Sequence, residues 1–122
     1  MKIIKAIRAA TNVDKDSPFE IQERVNELLN STLIENSLTK EDIISVYFTV
    51  TQDIRSFNPA RVARERLEWN DVCMICAQEA FIEGGLDLCI RALLHVYSYQ
   101  EAKIKHVYLH KAQSLRTDWS TN

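Results

Sequence analysis

Glycine and proline are scarce, two of each in 122 residues. Gly84, Gly85, Pro18 and Pro59 leave no linker-like stretch and no internal repeat, so a single domain spanning residues 1–122 is expected. Long apolar runs are also missing. The longest, Val72 to Ala77, has six residues, whereas a membrane-spanning helix needs about twenty and the apolar centre of an export signal at least about seven. A chain that is neither anchored nor exported by that route is expected. Charge of one sign is not in excess: the formal net charge is −2 and the pI about 5.9. That excludes a global electrostatic footprint for nucleic acid or an anionic membrane, so any anion site must be local. The three cysteines, Cys73, Cys76 and Cys89, are odd in number and lie among apolar residues. They suit free thiols in a reducing compartment, and the cytoplasm is the expected location. What is present, 46% hydrophobic and 26% charged residues, is the composition of a folded globular domain rather than of a disordered chain.

Periodicity divides the chain into strands and helices. Lys2 to Ala10 is short and rich in isoleucine and reads as a strand with Arg8 near its end, followed by a polar loop from Thr11 to Ser17. Ser17, Pro18 and Glu20 form a helix start: a capping hydroxyl, proline at the first helical position, and a carboxylate that reaches back to the cap. Ile21, Val25, Leu28, Leu29 and Leu33 then recur at helical spacing until Asn36. From Ile43 to Thr51 the period is two, with Ile44, Val46, Phe48 and Val50 on one face and Ser45, Tyr47, Thr49 and Thr51 on the other. Asn58 and Pro59 open a second helix running to about Trp69. Val72 to Ala77 is a third strand, Leu86 to Tyr97 a long fourth, and Lys105 to Leu109 a final short one.

The expected fold class is α+β: a mixed sheet with both helices packed on one face. The other sheet face would carry Tyr47, Thr49, Cys89, Arg91, Leu93 and Tyr97. That set is too apolar for free exposure and too polar for a dry core, which points to a homo-oligomer with sites at its interfaces.

Chemistry-bearing residues are few. Arg55, Arg61, Arg64 and Arg66 gather four positive charges in twelve positions, and Arg61 and Arg64 lie in the first turns of a helix whose amino end is already positive. Either solvent or a bound carboxylate or phosphate answers them. Arg91 interrupts an apolar strand and needs a partner, Glu79 or an anionic ligand. The Cys73-Cys76 spacing has no second cysteine pair or histidine set beside it, and His106 and His110 fall where a strand is expected, so no metal site is expected. No phosphate loop, nucleophile elbow or paired-carboxylate signature is present. Any chemistry must run on arginines.

Four segments, IRAATNVDKDSPFEI, YFTVTQDIRSFNPARVARE, CAQEAFIEGGLDLCIRALLHV and HVYLHKAQSLRTDW, occur in this order. Together they resemble the monofunctional AroH-type chorismate mutases. The resemblance implies a homotrimer forming a pseudo-α/β barrel, with active sites in the clefts between subunits. It also implies the Claisen rearrangement of chorismate to prephenate on the way to phenylalanine and tyrosine, with no cofactor and no metal. By motif match it places Arg91 beside the breaking ether bond, Arg8 on a substrate carboxylate with Tyr108 assisting, and Cys76 and Glu79 on the ring hydroxyl. Asn58, Ala60, Arg61, Arg64, Met74 and Ile75 would line the pocket, and Leu115 and Arg116 would close it. Two of the departures from the family are Asn58, where phenylalanine is usual, and Ala9, where glycine is usual. They motivate a second class of reading, a non-catalytic or divergent trimeric binder of small carboxylates.

Overall fold

The structure, a computed structural model, describes residues 1–116, with nothing stated of the Arg116 side chain. β1 (Lys2–Asn12), β2 (Ile43–Val50), β3 (Cys73–Gln78), β4 (Cys89–Tyr99) and β5 (Val107–Tyr108) form one sheet in the order β3-β2-β4-β1-β5. β4 is antiparallel to β1 and β2, while β2–β3 and β1–β5 are parallel. Helices α1 (Pro18–Glu35) and α2 (Pro59–Leu67) cover one face. There Ile21, Val25, Leu28 and Leu29 of α1 and Val62 and Ala63 of α2 join Ile7, Val46, Phe48, Ile90, Leu94 and Val96 of the sheet in a single buried cluster. The expected α+β layering follows from these two periodicities meeting along one surface.

The helix starts form as their sequences require. Ser17 Oγ accepts from the Glu20 N–H at 3.2 Å, although the Glu20 carboxylate reaches past the cap to the Asp14 N–H in the preceding loop. Asn58 Oδ1 accepts from the Ala60 N–H at 2.9 Å. Replacing Asn58 by alanine removes the side-chain acceptor of that N–H, and we expect a loss of about 1 kcal/mol, read as a lower Tm. α2 ends before Trp69 because Glu68 turns left-handed (φ 59) and the Trp69 N–H bonds back to the Ala63 carbonyl at 3.1 Å.

Elsewhere the strand ends differ from the sequence expectation. β1 continues to Asn12, fully paired with β4, so Arg8 lies mid-strand rather than near the end. A bulge between Ile43 and Ser45 leaves Ile44 without an opposite residue and gives its core place to Ile43. β4 begins only at Cys89 because Leu88 is left-handed (φ 50) and its N–H is held by both oxygens of Asp53, at 3.2 and 3.0 Å. The last strand shrinks to Val107–Tyr108, and His110–Arg116 coils into a 3-10 turn.

Candidate active site

On the face away from the helices, strand register decides which side chains meet. Ala77, Thr49, Arg91, Ala10 and Tyr108 form one row across the five strands. Ile75, Tyr47, Leu93 and Arg8 form the row beside it. Arg8 and Arg91 are therefore diagonal neighbours on adjacent strands, a spacing of roughly 7–8 Å between backbones. Together with Tyr47, Thr49, Leu93, Tyr108 and Leu115 they line a cavity of ≈ 570 Å³, within the roughly 300–1,000 Å³ of small-molecule sites.

The site is strongly tied to its frame. The Arg8 N–H donates to His106 Nδ1 at 2.9 Å, and the Leu109 N–H to the Ala10 carbonyl at 2.9 Å. Buried Asn12 accepts from the Lys111 N–H at 2.8 Å, which anchors the turn that delivers Leu115. Arg91 Nε lies 3.0 Å from Glu79 Oε2, the ion pair anticipated from the sequence. The Arg91 side chain is 46% exposed and Glu79 18%. Arg91 is therefore only half buried by its own chain, because it stands on the uncovered sheet face.

Comparison with known proteins bears on this arrangement directly. The family pattern described as chorismate mutase type I matches residues 4–119. The chain belongs to that family. It is 36% identical over 119 residues to chorismate mutase AroH of Bacillus subtilis, covering 97% of this chain and 94% of that one. It is 35% identical over 118 residues to chorismate mutase AroH of Thermus thermophilus, covering 95% and 96%. A chorismate mutase structure from Clostridium thermocellum is similar with a TM-score of 0.84 and 38% identity, covering 90% of this chain and 98% of that one. None of this favours a non-catalytic carboxylate binder.

The departures at Ala9 and Asn58 have structural answers. Ala9 sits in regular, fully paired strand and is absent from the positive-φ positions, so the lost glycine does not displace Arg8. Asn58 spends its side chain on the α2 cap.

The remaining motif residues occupy the opposite sheet edge. Cys76 and Asn58 line a shallow groove between β3 and the start of α2. Cys76 pairs with Phe48 on the core-facing side of β3, whereas Glu79, beyond the strand end, reaches Arg91 on the other. Met74 is half-buried, Ile75 exposed beside Tyr47, and Ala60 buried. The arginine cluster is largely answered within the chain: Arg61 pairs with Glu65 at 2.9 Å and lies 4.8 Å over the Phe57 ring, and Arg66 pairs with Glu23 at 3.3 Å. Arg64 is exposed and makes no ion pair among the described residues. A single chain thus gathers Arg8, Arg91, Tyr108 and Leu115, with Glu79 attached through Arg91, but holds Asn58, Arg61, Arg64 and Cys76 apart from them. Of the closing pair, the Arg116 side chain lies outside the described residues.

Cys89 and Cys76 are poor nucleophiles. Burial pushes Cys89 up to about 11, against a lowering contribution from Arg91, and burial also raises Cys76. Cys73 and Cys76 face opposite sides of β3, and no group of three potential ligands is assembled among the described residues. His106 and His110 are not a pair either: His110 Nε2 contacts Glu27 at 2.7 Å, while His106 turns to Arg8.

Burial, and then the Arg8 charge, lower the proton affinity of His106 below its usual 6.5. The unfolded chain therefore takes up this proton first, so the stabilising contribution of His106 is full above about pH 6.5 and declines as pH falls below it. We expect the Tm to drop more between pH 7.5 and 5.5 in the native protein than in a His106→Gln variant. Parallel melting curves would contradict this.

Among the residues that sequence reasoning did not assign to the site, Thr49, Asp53, Asn12 and His106 are the important ones. Only Thr49 had a legible signal, its place on the uncovered face in register with Arg91. The others act through backbone groups whose positions depend on the fold.

Proposed function

We propose that this protein is a chorismate mutase that isomerises chorismate to prephenate on the way to phenylalanine and tyrosine. Membership of the family supports the reaction. The observation in this chain that carries the mechanism is the convergence of Arg8, Arg91 and Tyr108 on one cavity, with Glu79 held against Arg91.

The rearrangement is intramolecular, so the protein's task is to select the compact conformer of a dicarboxylate and to stabilise charge as it develops. Arg8, assisted by the Tyr108 hydroxyl, holds a substrate carboxylate. Arg91 faces the ether oxygen as its carbon–oxygen bond breaks and negative charge grows there. Glu79 accepts a hydrogen bond from the ring hydroxyl, and Cys76 donates or accepts a second. Ala60, Arg61, Arg64, Met74, Ile75 and Asn58 line the pocket wall, and Leu115 and Arg116 close it. No step calls for a nucleophile, which agrees with the raised proton affinity of the Cys89 and Cys76 thiols.

The working assembly is a homotrimer forming a pseudo-α/β barrel, with active sites in the clefts between subunits. Two features support it. The sheet face carrying Arg91 exposes Ile4, Tyr47, Leu93, Tyr97 and Tyr99, and the motif residues divide between two sheet edges that a cleft between subunits brings together. The enzyme works in the cytoplasm, a reading supported by its free thiols.

The test is consumption of chorismate by the purified protein, with prephenate identified as product. A folded, assembled protein that leaves chorismate unchanged would overturn the proposal.

A further inference from the structure

Glu79 Oε2 is approached from two sides. The Thr49 hydroxyl donates to it at 2.6 Å, and Arg91 Nε lies 3.0 Å from it. Thr49 stands directly opposite Arg91 in the β2–β4 register and next to Ala77 across the β2–β3 pair. Its hydroxyl therefore emerges between the strand that carries the cation and the strand whose end carries the carboxylate. A carboxylate on the flexible glutamate stem turns about a broad, roughly two-fold terminal torsion. A guanidinium by itself favours a forked contact with both carboxylate oxygens. The hydroxyl removes this freedom by fixing which oxygen faces Arg91.

We propose that Thr49 is a positioning residue for the chorismate rearrangement: its hydroxyl pins Glu79 Oε2, so that Oε1 remains for the substrate and Arg91 keeps its terminal nitrogens for the reacting ether oxygen. The proposal rests on the chorismate mutase reading of this cavity. Two observations support it together. Oε2 is the single oxygen used by both partners, and among the described residues no side-chain or backbone donor is bonded to Oε1. Arg91 approaches the carboxylate through Nε, the innermost nitrogen of the guanidinium, and neither terminal nitrogen hydrogen-bonds to Glu79 among the described residues. Threonine is also the β-branched residue that suits strand β2, so valine can replace it with the same shape and without the hydroxyl.

The experiment is a double-mutant cycle in the native assembly, using Thr49→Val, Thr49→Ser and Glu79→Gln, with chorismate turnover as readout. A hydrogen bond to a charged group that matters in the transition state predicts a kcat about 10- to 100-fold lower in Thr49→Val. KM should stay within a few-fold and Tm near the native value. Thr49→Ser restores kcat. In the Glu79→Gln background the further loss from Thr49→Val is much smaller, because the two residues act as one unit. An undiminished loss in that background, or no rescue by serine, would overturn the proposal. A second readout does not depend on turnover. In 15N-labelled protein, the Arg91 Nε proton should exchange with water several-fold faster in Thr49→Val than in the native chain. Native protein without turnover would sink the chorismate reading, and unchanged exchange would sink the role of Thr49.

Discussion

Replacement of Arg91 by citrulline lowers kcat by about 10³-fold while leaving the fold and the assembly intact. Citrulline preserves the shape of arginine and most of its donors but carries no charge, so it isolates the electrostatic contribution. A full charge about 4 Å from developing negative charge is worth about 4 kcal/mol at the effective dielectric of a protein surface site, and more once substrate and neighbouring side chains displace water. Four kcal/mol corresponds to roughly 10³ in rate, within the range found when a preorganised donor is removed from an anionic transition state. KM should change far less, since the ground-state ether oxygen is neutral. Arg91→Ala is expected to be worse, because it also leaves the Glu79 carboxylate, 18% exposed, without its cation. Arg91→Lys keeps the charge but places it on a single nitrogen, and should fall between the native protein and the citrulline variant. The check is steady-state kinetics with circular dichroism on the same samples. A citrulline variant within tenfold of the native kcat would remove Arg91 from the centre of the mechanism.

The prominence of Arg91 was legible in the sequence because a cation among apolar strand residues breaks the pattern around it. The period-two alternation in β2 and β4 also gave the uncovered face correctly for Tyr47, Arg91, Leu93 and Tyr97. The places where reading and structure part are local backbone events. One inserted residue at Ile44 moves the core position to Ile43, and a left-handed Leu88 held by Asp53 delays β4 until Cys89. Neither leaves a compositional trace, since isoleucine, leucine and aspartate are all ordinary at those positions. The site was legible in a different way. Arg8 and Tyr108 carry no periodicity signal of their own and entered through resemblance, and what unites them with Arg91 is the five-strand register. The arginine cluster shows the converse: conspicuous in sequence, it is largely matched by Glu65 and Glu23 in the fold.

The second large effect concerns assembly. Ile4 and Tyr97 are register partners on the uncovered face, 61% and 46% exposed, with Tyr99 at 57% beside them. Tyr97 is six residues along β4 from Arg91, about 20 Å at strand rise, so substitutions there do not touch the cavity. In a subunit interface, two carboxylates at these positions would be buried without partners and repeated in every copy, a cost of several kcal/mol per interface. We therefore expect Ile4→Asp combined with Tyr97→Asp to convert the proposed trimer into monomers, as measured by sedimentation equilibrium. The far-ultraviolet circular dichroism should remain, because neither side chain belongs to the buried cluster beneath the helices. Turnover should fall to near background, since Arg8, Arg91 and Tyr108 would then be separated from the Cys76 and Arg64 edge of a neighbouring subunit. Partial reassembly at high protein concentration should restore activity in parallel with mass, the mark of an effect acting through association. A monomeric variant that turns over chorismate at the native rate would show that one chain's cavity suffices and would remove the shared cleft from the mechanism.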